Sequence, residues 1–225
     1  MSRGKLQAYF SPRMGKLSKA AAFGVDPQKI AQEIFVLEMH NAQLAQCSPK
    51  SVFFAAWKLA KQGLVPNHSA GGPYVVPRGK SAVVDWGVAG LTSIAMRTGR
   101  YKRIWASVYH ENDTFEIRRH EQPPFHHVET NDEPGETSGA YAYSELTDGS
   151  GQIVRMRKSE IDQHRELFAG GGDAWKTSYW AMARKTVLKK LLRSLHCEQH
   201  DPVNEAIRVD IPDDLDSIIV EEQAI

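Results

Sequence analysis

Residues 140–157 read AYAYSELTDGSGQIVRMR, and this stretch decides the fold class. Two short runs, 140–146 and 152–157, flank Asp148-Gly149, a pair suited to a tight turn, so they are expected to form an antiparallel hairpin. Alternation places Gln152, Val154 and Met156 on one face and Ile153, Arg155 and Arg157 on the other. A lone hairpin is marginal in water, so further strands and helices must cover it.

Upstream, 74–76 and 82–84 flank Pro77-Arg78-Gly79-Lys80, and 101–109 and 114–118 flank Glu111-Asn112-Asp113, giving two more expected hairpins. Residues 120–138 read as a polar loop with three prolines. Helices are expected on both sides. Asp26-Pro27 opens one that runs to about Gln46 on Ile30, Ile34, Leu37 and Leu44. Ser48-Pro49 opens a second, striped by Val52, Ala56 and Leu59 and ended by Gly63. Val88, Leu91, Ile94 and Ala95 suggest a short helix closed by Gly99, and Ser159 with Asp162 a capped start for one reaching Phe168. Gly170-Gly171-Gly172 reads as a hinge, after which Asp173 caps the last and longest helix, 174–196. The expected class is α+β, a small antiparallel sheet of hairpins packed with helices. Its divisions are a flexible basic arm over 1–25, a main domain over 26–200 and an acidic tail over 201–225.

The chain has 225 residues, with 28 Lys+Arg against 27 Asp+Glu and a formal net charge of +1. A hydrophobic fraction of 41% with 24% charged residues excludes a disordered chain, a collagen-like one and a disulfide scaffold. No run approaches a membrane span, and the basic first 20 residues lack the apolar run of a secretory signal, so a cytoplasmic protein is expected. Cys47 and Cys197 form no C-x-x-C and read as reduced thiols.

The near-zero charge is an average. Residues 203–225 carry seven acids and only Arg208, a charge of −6, which leaves +7 on residues 1–202. The excess is clustered without acids at 1–20, at 97–103 and at 176–193. A basic body with an acidic tail is a pattern of polyanion binders, and the tail is a candidate competitor for the basic surface.

The helix 174–196 carries the densest cluster. At 100° per residue Trp180, Arg184, Val187, Leu188, Leu191 and Leu195 share an expected buried face. Tyr179, Met182, Thr186, Lys189, Lys190 and Arg193 lie opposite. Cations late in a helix gain about 0.3–1 kcal/mol each from the dipole, but that gain does not explain why no acid is interleaved. A strip facing phosphates does.

Signatures of catalysis are missing. There is no G-x-x-x-x-G-K-S/T, so no ATP site is expected. His110, His120, His126, His127 and Glu129 are the best metal candidates, but they lack H-E-x-x-H spacing; no metal site and no catalytic centre are expected. A metal-dependent nuclease, or another replication-module enzyme using residues 110–127, is the alternative.

Three blocks bear a family resemblance. Gln62-Gly63-Leu64-Val65-Pro66, then Gly72-Pro73-Tyr74-Val75-Val76-Pro77, resembles the L-G-L-x-P and A-Y-L-x-P-F segment of RecT-family single-strand annealing proteins. GLTSIAMRTG at 90–99 is similar to that family's central glycine block. The strongest likeness is AWKTSYWAMARKTVLKKLLRSL at 174–195, which resembles the family's W…M-A-K/R-K-T helix. The blocks come in family order across roughly residues 30–196. Val88-Ala89 stand where the family often has an aromatic–basic pair, with Trp86 and Arg97 as candidates to compensate.

The resemblance implies an ATP-independent protein of phage-type homologous recombination with a Rad52/Redβ/RecT-like annealing core. Such proteins coat single-stranded DNA, anneal complementary strands and assemble into rings or helical filaments. They work beside a 5′→3′ exonuclease and the host single-strand-binding protein, in a bacterial or phage-infected cytoplasm. No cofactor is expected beyond a divalent cation as an aid to annealing. Gripping phosphates without reading bases calls for Lys and Arg. The expected DNA contacts are Lys176, Lys185, Lys189, Lys190 and Arg193 from the helix and Arg97, Arg100, Lys102 and Arg103 near the sheet edge. Arg155 and Arg157, Arg78 and Lys80 at a hairpin tip, and Trp86 complete the set.

Overall fold

The computed structural model describes residues 4–66, 72–130, 132–168, 174–196 and 201–207. The expected Gly170-Gly171-Gly172 hinge, the Asp173 cap, Cys197 and residues 208–225 of the tail lie outside these residues. Among the described residues, no helix is long and apolar enough to cross a membrane.

The segment expected as a flexible arm is folded. Helices α1 (Gly4–Phe10) and α2 (Met14–Ala20), joined by a 3-10 turn, bury Leu6, Phe10 and Leu17 completely or nearly so. Phe10 meets Phe35 and Phe53 edge-on at 5.2 and 5.1 Å. Three apolar residues spaced by four and seven make one helical stripe, hidden in the sequence by the surrounding lysines.

Helix α3 (Pro27–His40) starts as expected, with the Asp26 carboxylate accepting from the Gln28 N–H at 2.9 Å. It ends six residues early. The Asn41 side chain accepts from the N–H groups of Gln43 and Leu44, both at 3.0 Å, and so starts a separate 3-10 turn at Leu44. Helix α4 (Pro49–Lys61) is capped by Ser48 and ends at Gly63, whose φ of 62° brings the chain against the Ala22 carbonyl. Around α4 pack α1, α2, α3 and the hairpin of β1 (Tyr74–Arg78) and β2 (Ser81–Asp85).

Helix α5 (Gly87–Arg97) leads into β3 (Tyr101–His110). The expected pairing of β3 with the next strand is corrected. Strand β4 (Thr114–Ile117) pairs with β5 (Phe125–Val128), inside the stretch read as polar loop, while β3 pairs with β6 (Thr137–Leu146). Phe125-His-His-Val128 alternates as a strand should, but Pro123-Pro124 immediately before it reads as loop.

Strand β6 also pairs with β7 (Gly151–Arg157), as expected from the opening stretch, giving a sheet of order β3-β6-β7. Its register puts Ala140, Ala142 and Ser144 with Val154 and Met156 on one face and Tyr141, Tyr143, Ile153 and Arg155 on the other.

Four helices complete the described chain: α6 (Lys158–Phe168), α7 (Ala174–Thr177), α8 (Tyr179–Leu195) and α9 (Pro202–Ile207). The single helix expected over 174–196 is broken at Ser178, where φ and ψ are −144° and 48°. Helix α8 crosses the apolar sheet face, α6 lies beside it on β6 and β7, and α5 and α9 close over α8. The start of the expected tail is therefore part of the body, with Val203, Ala206 and Ile207 buried. Across the sheet's other face, the β4–β5 hairpin stacks Phe115 on Tyr109 at 4.7 Å and sets Phe125 5.3 and 5.2 Å from Tyr141 and Tyr143.

Gly139 lets β6 pass between β7 and Tyr109. A Cβ there would lie 2.3 Å from the Met156 carbonyl oxygen and 2.6 Å from the Tyr109 hydroxyl. Gly139→Ala is expected to destabilise by about 2–3 kcal/mol, with the strain falling on backbone. Urea unfolding followed by circular dichroism measures it; an unchanged midpoint contradicts the close approach.

Candidate nucleic-acid interface

Helix α8 is buried through Ala183, Thr186, Val187, Leu188, Leu191 and Leu192. The buried face is rotated from the one expected. Arg184, placed inside by the helical wheel, is exposed, and Thr186, placed on the cationic face, is covered. The reason is that α8 is clasped on several sides, by sheet, α5 and α9, so a two-sided wheel misplaces its flanks.

Lys185 and Lys189 sit at the junction of α8 with the β1–β2 hairpin. Lys185 donates to the Asp85 carboxylate, which also accepts from the Gly87 N–H at 3.2 Å. Burial opposes ionisation of Asp85, but Lys185 and that N–H override it and hold the carboxyl below its usual range. Lys189 is pushed down to about 8, first by burial and then by Lys185, Arg193 and Arg78, against the pull of Asp85. Lys190 and Arg193 stand exposed further along the helix. His164 of α6 is depressed by burial and by the charges of Arg193, Lys189 and Lys190. Arg78, Lys185 and Arg193 thus all lie close enough to Lys189 to act on it, with Asp85 beside them and Lys190 next along the helix. Lys80 is exposed beside Arg78 in the hairpin turn, and Lys176 is exposed on α7. Asp85 and His164 were not singled out in the sequence; both come from other elements, and no local spacing links them to α8.

The other expected contacts lie elsewhere. Arg97 donates to the carbonyls of Gln62 and Gly63 and lies 4.9 Å from the Phe23 ring, where it completes the end of α4. Arg100 pairs with Asp201 at 3.6 Å. Lys102 and Arg103 share Glu145 at 3.5 and 3.8 Å, with Arg103 73% exposed. Strand register puts Arg103, Arg155 and Arg157 on the sheet face away from α8, and Arg155 lies 6.0 Å from the Tyr109 and Phe115 rings. Trp86 is a correction: it is 6% exposed and part of the core, so it presents no ring face to a base.

The histidine region is organised around a buried acid. Asp113 accepts from the N–H groups of His110 and Thr130 at 2.7 and 3.0 Å, and meets His127 Nε2 at 3.1 Å and His110 Nδ1 at 3.3 Å. Burial would raise its pKa, but these two backbone donors and two imidazoles hold it well below the carboxylate range. His127 Nδ1 is 3.0 Å from the Tyr141 hydroxyl, which ties the hairpin to the sheet. His120 and His126 point to solvent. Among the described residues, no three His, Cys, Asp or Glu side chains are placed to hold a metal.

Sheet, helices and charge together define a small α+β protein with a cationic strip along its central helix. Residues 28–210 match the model of the RecT family, and the chain belongs to that family. It is 30% identical over 194 residues to the uncharacterized protein YqaK of Bacillus subtilis, covering 81% of this chain and 67% of that one. It is 27% identical over 161 residues to the protein RecT of Escherichia coli, covering 68% of this chain and 60% of that one.

Asp113→Ala removes the acceptor of four donors and is expected to cost about 2–3 kcal/mol at pH 7. The sign with pH follows from a depressed carboxylate: its contribution is full above the unfolded value of about 4 and fades as pH falls below it. The gap in urea midpoint between wild type and variant should therefore be smaller at pH 3 than at pH 7 while still present. A constant gap contradicts the assignment.

Proposed function

We propose that this chain binds single-stranded DNA through its phosphates and anneals complementary strands without ATP, as an oligomer, in phage-type homologous recombination. Membership of the RecT family supports the reading. The observation that carries it is the α8 strip, where Lys189, pushed down to about 8, stands close to Lys185, Arg193 and Arg78. Cations held this close repel one another in the free protein, and arriving phosphates relieve the repulsion while releasing counterions. Bases are left free to pair, because the strip grips backbone.

The same reading makes the sheet with α8 the counterpart of a Rad52-type annealing core and the assembly a ring or helical filament. A divalent cation would aid annealing, and no other cofactor is needed. The chain would work in a bacterial or phage-infected cytoplasm with a 5′→3′ exonuclease and the host single-strand-binding protein. It carries no catalytic centre in this reading.

Two complementary fluorescent oligonucleotides mixed with the protein and no ATP provide the test, beside size-exclusion chromatography with and without DNA. Five strip cations predict that log K falls with log salt at a slope of roughly −3.5. Lys190→Glu with Arg193→Glu, both at exposed positions, should abolish annealing and weaken binding at least about tenfold at 0.1 M salt while the Tm moves little. Binding should also weaken from pH 7 to pH 9, as Lys189 loses its proton near 8. Full annealing by the double variant, or salt-independent binding, refutes the assignment of the strip.

A further inference from the structure

Between α6 and the start of α8 lies an open cleft of about 440 Å³, lined by Lys158, Asp162, Arg165, Glu166, Tyr179 and Trp180. Its first four residues fall at i, i+4, i+7 and i+8, so one face of α6 supplies them all. The aromatic wall is Tyr179 and Trp180, set edge to face with ring centres 4.5 Å apart. The Tyr179 hydroxyl donates to Asp162 Oδ1 at 2.7 Å, which fixes both the ring and the carboxylate. The second Asp162 oxygen and the Glu166 carboxylate supply further acceptors toward the cleft, and Lys158 and Arg165 supply the cations.

Each feature narrows the ligand. A simple anion is opposed by two carboxylates, and an apolar ligand by four charged groups. A flat ring that donates N–H groups, carried between two negative groups, matches all of them. The ring stacks on the aromatic wall, its amino group meets the carboxylates, and the flanking negative groups meet Lys158 and Arg165. We propose that this cleft receives one unpaired nucleobase bearing an exocyclic amino group from a bound DNA strand. The inference rests on the single-strand-binding reading above and adds a base preference to it. Thymine fits poorly, because it turns two carbonyl oxygens and only one N–H toward the carboxylates.

The test measures affinities of the full chain for fluorescein-labelled oligo(dC) and oligo(dT) of equal length by anisotropy, at one salt concentration. Oligo(dC) is expected to bind about tenfold more tightly, the discrimination of a carboxylate accepting from the cytosine amino group. Glu166→Ala removes one acceptor at an exposed position, so the fold is retained and thermal melting verifies it. In that variant the ratio is expected to fall to about threefold or less. Equal affinities in the wild type, or a ratio unchanged by Glu166→Ala, overturn the cleft assignment and leave single-strand binding standing. Failure of both oligonucleotides to bind overturns both.

Discussion

The burial of α8 across the β3-β6-β7 sheet is the constraint on which the remaining structure depends. Ala183, Val187, Leu188, Leu191 and Leu192 have no solvent exposure. Complete burial of a Val or Leu side chain contributes about 1.5–3 kcal/mol, so these residues hold the helix firmly on the sheet. Ala140 and Ala142 on β6 are equally buried and small, which lets the helix approach the sheet closely. Because the helix cannot rotate in that seat, its remaining flank must present Lys185 and Lys189 to the hairpin and Lys190 and Arg193 to solvent. The cationic strip is a consequence of the packing.

The end of α8 is fixed by a polar chain that joins three elements. The Tyr101 hydroxyl meets His196 Nε2, and His196 Nδ1 lies 2.6 Å from Asp201 Oδ2. The other Asp201 oxygen accepts from the N–H groups of Val203 and Asn204 at the start of α9. Burial and the nearby Asp201 charge push the Tyr101 hydroxyl up to about 12, so it stays protonated throughout the physiological range. All three side chains are buried. A network this deep holds its shape only when every member is satisfied, and here it ties β3, α8 and the first residues of the acidic segment into one body.

What the sequence revealed follows the range of the interactions involved. The α+β class, the β6–β7 hairpin, the Ser48 and Asp26 caps and the turn at Gly63 rest on local chemistry, and all were legible. The pairing of β3 with β6 joins residues from His110 and Thr137 to Tyr101 and Leu146, 27 to 45 positions apart, and competes with a nearer partner, β4; no local pattern chooses between them. The fold of residues 4–20 was hidden because lysines and glycines surround only three apolar anchors. At the site, an acid-free run marked α8, but alternation alone also separates Arg155 and Arg157 from Val154 and Met156. Since the apolar pair must face the covering helix, those two arginines belong to the opposite face. Trp86 failed as a contact for the opposite reason, being large and apolar enough to be drawn into the core.

The two cationic surfaces therefore differ in kind. On the outer sheet face Lys102 and Arg103 already share a carboxylate and Arg155 lies near two aromatic rings, so a phosphate arriving there competes with existing partners. On α8 the cations lie close to one another. Lys185 and Lys189 act on Asp85, and Lys189 is pushed down to about 8 first by burial and then by Lys185, Arg193 and Arg78. An anion beside such a group favours its protonated form, so binding of a polyanion and protonation of Lys189 are linked. A strand of DNA supplies such anions at regular spacing, one for each step along its backbone. The proposed phosphate contact on α8 thus rests on cations that packing has brought close together.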